Sequence, residues 1–267
     1  MEAAVSSQQA VALSAPSESL ESPFLPANPG FAFQLVQAPA TDTATLQWVD
    51  VRPREGSEVA IRAVNVTIAF IGLVAAFPLM VVVALLVKLT SHGPVLYSQT
   101  RVGVDRRYKR SDTDDRRMHD QGGKPFRMYK FRSMVVNSEA DGRAIWAQPE
   151  DPRATSIGRV LRQTRLDELP QLYNVIRGDM NIVGPRPERP TIFAELRQSI
   201  PQYHMRQRVR PGITGWAQVN QAYDACIDDV RQKVSYDLEY IRRQSVREDL
   251  RIMLMTVPVM LFRHTGW

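Results

Sequence analysis

Apolar and polar positions divide the chain into unlike stretches. From Ala63 to Val87, 25 residues carry no formal charge; Asn65 and Thr67 are the only polar side chains, and Pro78 stands near the middle. As a helix this run is about 37 Å long at ~1.5 Å per residue, against ~30 Å of bilayer hydrocarbon, so it is long enough to enter a membrane. Pro78 removes a backbone donor and crowds the preceding turn, which predicts a kink or break there. Thr90-Ser91-His92-Gly93-Pro94 then reads as a turn and Val95 to Tyr97 as a short strand-like run. Farther on, Leu166, Leu169, Leu172 and Ile176 recur at helical spacing. Pro170 is tolerated only in a first turn, so this helix is predicted to start near Asp167. Leu250 to Phe262 is amphipathic to strongly apolar, with Pro258 near its end, and suits either a core helix or one lying in the headgroup plane. Residues 1–60 show no sustained period and are rich in Ala, Ser and Pro, as in a mostly disordered tail. No Lys or Arg precedes Arg52, which excludes a secretory signal peptide.

Charge follows the same division. The 267 residues carry a net +6, but residues 1–62 hold three basic against seven acidic side chains, a net of −4, and 63–87 hold none. Residues 88–267 therefore carry 31 basic and 21 acidic side chains, a net of +10. Such a body suits an anionic surface or an acidic substrate. Arg52, Arg54 and Arg62 precede the apolar run, and Lys88, His92 and Arg101 follow it, so the positive-inside rule gives no direction of crossing. A hairpin that enters and leaves on one cytoplasmic face satisfies both flanks. Cys226 is the only cysteine, which excludes an intrachain disulfide and cysteine-built zinc sites and fits a reducing compartment. The segment 105–123 mixes six basic residues with five aspartates and reads as a solvated loop, with nothing beyond charge to recommend nucleic acid.

The candidate chemistry lies between Lys124 and Gly215. Asp167 and Glu168 are adjacent carboxylates at a predicted helix start, a place that suits capping or an anion-handling site. Around them stand Arg159, Arg162 and Arg165, then Gly184-Pro185-Arg186-Pro187-Glu188-Arg189, where two prolines stiffen the turn that presents Arg186. Cations outnumber carboxylates here, a surplus that suits a phosphorylated substrate. Lys130-Phe131-Arg132-Ser133 adds two cations and a hydroxyl, a further candidate phosphate contact through Lys130 and Arg132. The four histidines are scattered and receive no role.

RQTRLDELPQLYNVIRGDMNIVGPRP from Arg162 to Pro187, with KPFRMYKFRSM upstream and RPGITGWAQVN downstream, resembles the bacterial sugar transferases. These are monotopic polyprenyl-phosphate phosphoglycosyl transferases that start exopolysaccharide, O-antigen and glycoprotein glycan assembly. The resemblance runs from about Arg62 to the C-terminus. It implies a mostly α, α/β monotopic membrane protein with a re-entrant helix (61–90), interfacial amphipathic helices and a small cytoplasmic catalytic domain (91–267) on the bacterial inner membrane. It further implies that Asp167 attacks the β-phosphorus of a UDP-sugar, releases UMP and holds the phosphosugar until undecaprenyl phosphate takes it. Glu168 would hold Mg²⁺, and Arg162 and Arg186 would bind phosphate. Where the family has Ser-Pro, Lys-Arg and Asp in its membrane element, this chain has Phe77-Pro78, Ile61-Arg62 and Asn65. Pro211 to Gln218 resembles the stretch that shapes the sugar-nucleotide site. Glu188 to Pro190 and Ser199 to Arg206 incline the reading to a hexose. A non-catalytic membrane adaptor whose basic body binds anionic lipid is the competing class, and whether the chain forms a homo-oligomer stays open.

Overall fold

The computed structural model describes residues 50–54, 56, 58–107, 122–136, 151–221 and 226–262. The tail to residue 49 and most of the charged loop 105–123 lie outside the described residues.

The apolar run forms α1 (Glu58–Thr90), with Glu58 in its first turn and Lys88 in its last, each complementing the helix dipole. The helix begins at Glu58, three residues before residue 61, and remains helical through Pro78. It is long and apolar enough to cross a membrane. Ile61, Asn65 and Ala69 before Pro78, and Val83 and Val87 after it, are buried at helical spacing. Phe70, Ile71, Val74, Phe77, Val82 and Leu85 are exposed.

After the turn, β1 (Leu96–Val102) pairs antiparallel with β2 (Pro125–Phe131), Leu96 opposite Phe131 and Val102 opposite Pro125. β1 is longer than the strand-like run Val95 to Tyr97 because pairing with β2 carries it through the polar residues Ser98 to Arg101. α2 (Ser156–Gln163) begins at Thr155, whose hydroxyl accepts from the Gly158 amide. A 3-10 turn at Leu166–Glu168 leads to α3 (Gln171–Arg177). The α-helix thus starts after Pro170 and not near Asp167. Pro170 cannot donate, and the preceding residues use the tighter bonds Glu168 N to Arg165 O and Leu169 N to Leu166 O.

β3 (Asn181–Val183) lies parallel to β4 (Gly212–Thr214). Their ends approach so closely that a Cβ at Gly184 would stand 2.4 Å from the Arg210 carbonyl, and one at Gly212 2.1 Å from the Gly184 amide. Glycine there is a condition of the pairing. Between and after them come α4 (Pro190–Ser199), a 3-10 segment Tyr203–Arg208, α5 (Trp216–Asn220), α6 (Ile227–Arg243) and α7 (Val246–Phe262).

The largest core joins Phe193 of α4, Tyr203, and Val230, Val234, Leu238 and Ile241 of α6 to Ile252 of α7. Two smaller cores take in α1. Ala69 packs with Phe126, Met128, Val175 and Met180, while Val83 and Val87 pack with Phe131 and Leu161. Both arms of α1, on either side of Pro78, therefore lie against the same body.

Candidate active site

The geometry begins at the turn between α2 and α3. Arg165 precedes it in the left-handed conformation, φ 59°, uncommon for a residue with a side chain. This reversal turns the chain so that both Asp167 and Glu168 are buried, at 6% and 7% exposure. β2 and α3 are locked to each other beside it. Asn174 donates to the Arg127 carbonyl at 2.7 Å and accepts from the Tyr129 amide at 3.1 Å, which sets the next residue, Lys130, against the dyad.

The two carboxylates are treated differently. Glu168 Oε1 accepts from Lys130 Nζ at 2.7 Å and from Arg186 NH2 at 2.8 Å. Burial opposes its charge, but Arg186 and Lys130 outweigh burial and hold the carboxyl well below the usual range. Asp167 accepts no hydrogen bond from any described residue. Burial pushes its pKa up, aided by Glu168 and opposed by Lys130, Arg186 and Arg162. Glu168 is thus a fixed charge, and Asp167 is a buried carboxylate with free lone pairs within a cationic field.

Arg186 stands on a loop whose four consecutive carbonyls are all taken. Pro185 O accepts from the Gly212 amide, Arg186 O from Arg206 at 3.1 Å, Pro187 O from Arg101 at 3.0 Å, and Glu188 O from the Val102 amide. Arg206 in turn donates to Asp237 at 2.6 Å and to the Tyr203 hydroxyl, and both ends of the Arg206–Asp237 pair are buried. Glu188 accepts from Lys233 at 3.0 Å. Burial opposes its charge, but Lys233, Arg206 and Arg101 bring its pKa down to about 2.

The predicted residues Lys130, Asp167, Glu168 and Arg186 therefore come together. Arg162, in the last turn of α2, acts on Asp167 through its charge and lies 3.8 Å from Asp151. Arg132 does not join them. Its NH2 donates to the Ser91 carbonyl at 2.7 Å and the Ser91 hydroxyl at 2.6 Å, so it closes the end of α1. The strand ends at Phe131, and the alternation that would have placed Arg132 on the face of Lys130 ends with it. Pro78 lies within α1.

Several contributors were given no role at the site from sequence. Asn174, Arg101, Arg206 and Asp237 act through backbone groups and buried partners, which no local motif marks. Gln171, 1% exposed and just after the dyad, has a buried Nε2 without a partner among the described residues. Arg62 donates to the Val175, Ile176 and Met180 carbonyls and so caps the end of α3 from α1. Asn65 accepts from the Ile182 amide and donates to Asp249, linking α1 to β3 and α7. The unusual positions Arg62 and Asn65 in an apolar segment were the available signal.

Among the described residues, no cluster of three or more His, Cys, Asp or Glu could hold a metal by itself. The dyad supplies hard oxygen ligands only, and one Glu168 oxygen is already shared by two cations. This donor set fits Mg²⁺, which takes one or two carboxylates and completes its shell with substrate phosphates and water, and it does not suit zinc.

A family model described as bacterial sugar transferase matches residues 56–263. The chain belongs to the bacterial sugar transferase family. It is 42% identical over 200 residues to the UDP-N-acetylgalactosamine-undecaprenyl-phosphate N-acetylgalactosaminephosphotransferase of Aeromonas hydrophila, covering 75% of this chain and 43% of that protein. It is 42% identical over 198 residues to the UDP-glucose:undecaprenyl-phosphate glucose-1-phosphate transferase of Escherichia coli K12, covering 73% of this chain and 39% of that protein. A Caulobacter vibrioides protein of the latter name is 37% identical over 225 residues, covering 84% of this chain and 78% of that protein. The chain thus spans about two fifths of the length of the first two relatives.

Proposed function

We propose that the chain transfers a sugar 1-phosphate from a UDP-sugar to undecaprenyl phosphate, with Asp167 as nucleophile. The observation that carries this is the contrast within the dyad: Asp167 buried and unbonded, Glu168 clamped by Lys130 and Arg186.

In the first step an Asp167 oxygen attacks the β-phosphorus. The bond from that phosphorus to the oxygen bridging to the α-phosphorus breaks, and UMP leaves with the electron pair. In the second step an oxygen of undecaprenyl phosphate attacks the same phosphorus and expels the Asp167 carboxylate. The sugar's own C–O bond is never broken, so its anomeric configuration is kept. Dividing one displacement into two suits a buried carboxylate that can hold the group between them. Lys130, Arg186 and Arg162 supply positive charge where the transferring phosphoryl gathers negative charge. Mg²⁺, held by Glu168 with the substrate phosphates, would supply further charge neutralisation at the diphosphate.

The chain must meet a soluble nucleotide and a lipid phosphate at one surface. In support, residues 61–69 and 83–87 of α1 contact one body, whereas a helix crossing the bilayer would carry its ends to opposite faces. We therefore read α1 as re-entrant, bent about Pro78 in the bilayer, with the catalytic body on the cytoplasmic face of the inner membrane. The named relatives divide between glucose and N-acetylgalactosamine, so the sugar is settled by assay.

Full-length protein with Mg²⁺ and undecaprenyl phosphate is to be given UDP-glucose, UDP-galactose and their N-acetyl forms in turn. UMP should appear with one of them, and without the lipid acceptor the Asp167 peptide should gain the mass of one phosphosugar. Absence of UMP with every donor, with intact binding to anionic vesicles, would favour the adaptor reading.

A further inference from the structure

Away from the dyad, the corner between α6 and α7 gathers a second concentration of positive charge. Arg54, Arg242, Arg243, Arg247 and Arg251, with Ser245 and Glu248, line a cleft of about 420 Å³. Glu248 pairs with Arg251 at 3.4 Å, and Arg243 pairs with Glu239 at 2.7 Å. Five guanidiniums against one lining carboxylate still leave the cleft cationic. Arg247 is exposed and makes no hydrogen bond or ion pair with any described residue.

The cleft does not end in water. Val246, Leu250, Leu254 and Met255 of α7, together with the same Arg247 and Arg251, line an adjoining apolar groove of about 670 Å³. Leu254 is 73% exposed. One continuous surface is therefore cationic at one end and apolar at the other.

Its position in the fold is fixed by a buried bond. Asn65 of α1 donates to Asp249 of α7 at 3.1 Å, which holds the first turn of α7 beside the start of the uncharged run. Arg54 lies just before α1 begins. The arginines thus stand where α1 passes from polar residues to the exposed Phe70, Ile71 and Val74. In a membrane-seated protein that level is the headgroup layer.

We propose that this cleft binds the headgroup of an anionic phospholipid, its phosphate among the arginines and its acyl chains along Leu250 and Leu254. Guanidinium forks match phosphate oxygens two at a time, and arginine stems can lie along apolar surface while their heads stay in the polar layer. The inference rests on the membrane reading of α1 given above. Its consequence is orientational: α1 holds the body at the membrane, and the cleft fixes the body's roll upon it.

The test uses the full chain in neutral detergent, with lipid adducts counted by native mass spectrometry. Phosphatidylglycerol should be retained and phosphatidylcholine at equal concentration should not. The double variant Arg242→Gln/Arg247→Gln should retain phosphatidylglycerol roughly 30-fold less well, the loss expected of two basic residues at an anionic surface. Arg242→Lys/Arg247→Lys should keep most of it, and this pair decides the matter should the glutamine pair fail to fold. The exposed pair Arg127→Gln/Arg231→Gln, which lines neither the cleft nor the groove and carries the same charge change, should stay within about twofold of wild type. The proposal is overturned by equal retention of the two lipids, by an unaffected double variant, by an equal loss in the Arg127/Arg231 control, or by displacement with equimolar inorganic phosphate. Failure of the membrane reading shows separately, as wild-type chain that stays soluble without detergent.

Discussion

Two clusters of buried charge meet at the loop Pro185–Glu188, and they are built in opposite ways. Below the loop, Arg206 pairs with Asp237, and Glu188 pairs with Lys233. At the Leu166–Glu168 turn, Glu168 takes two cations, and Asp167 beside it accepts no hydrogen bond from any described residue. Removing a carboxylate from water costs several kcal/mol unless partners repay it. The lower cluster meets each charge with a bonded partner, although burial still pushes Asp237 up, and it serves to hold Arg186 by its own carbonyl. In the upper one Asp167 is buried with no bonded partner among the described residues, and that is what makes it the nucleophile of the proposed mechanism.

The sharpest break in this comparison is the same substitution made in both places. Asp167→Asn should lower UMP release about 10⁴-fold or more, as loss of a nucleophile does. Its thermal midpoint should hold or rise, because an unrepaid buried charge is removed. Substantial UMP release by this variant would take the role of nucleophile from Asp167. Asp237→Asn should instead lower unfolding free energy by about 3–5 kcal/mol in denaturant titrations, because it strands the Arg206 guanidinium. A loss below about 1 kcal/mol, the range of exposed pairs, would show that the lower cluster is not the scaffold described.

How much of this could be read in the sequence follows the same line. The Asp167-Glu168 pair, Lys130 and Arg186 stood in contiguous motifs whose charge surplus has a local meaning, and they do converge. Arg132 stood in such a motif too, yet one residue beyond the strand its side chain turns to Ser91. The helix near Asp167 was legible in its Leu spacing, but its start was not, because Pro170 shifts the first turn to 3-10 bonding. Arg206, Asp237 and Asn174 were invisible because their partners lie 20 to 47 residues away. Pro78 was legible as a helix breaker. The helix nevertheless runs through it, each arm stabilised by packing against its own small core.

Arg186→Gln should sharpen the upper half of the comparison. It removes one of two cations on Glu168 and one of those favouring the Asp167 carboxylate. A loss of roughly 10²- to 10³-fold in kcat/KM is expected, typical of one preorganised charge contact. The pH profile distinguishes this from simple loss of binding. In the proposed mechanism Asp167 must be ionised to attack, so the rate falls as pH drops through its raised pKa. Without Arg186 that acid limb should move to higher pH. A limb that stays in place while kcat/KM falls would confine Arg186 to substrate binding.

Asp249 supplies an intermediate case. It accepts from the Tyr240 hydroxyl at 2.7 Å and from Asn65 at 3.1 Å, with no ion pair among the described residues. Neutral donors repay less than a cation, and burial pushes its pKa up to about 6 from 3.8. A carboxyl whose pKa is raised by folding stabilises most while protonated, so its contribution is present below about pH 4 and is lost as pH rises through about 6. The loss is at most about 3 kcal/mol for a shift of this size. Because Asn65 and Asp249 join α1 to α7, the loss should be felt as a looser attachment of α1 to the body. Melting curves between pH 4 and 7 should show wild type losing stability relative to Asp249→Asn across that window. Parallel curves would mean that Asp249 is ionised on both sides of it, and that two neutral donors are enough to hold its charge.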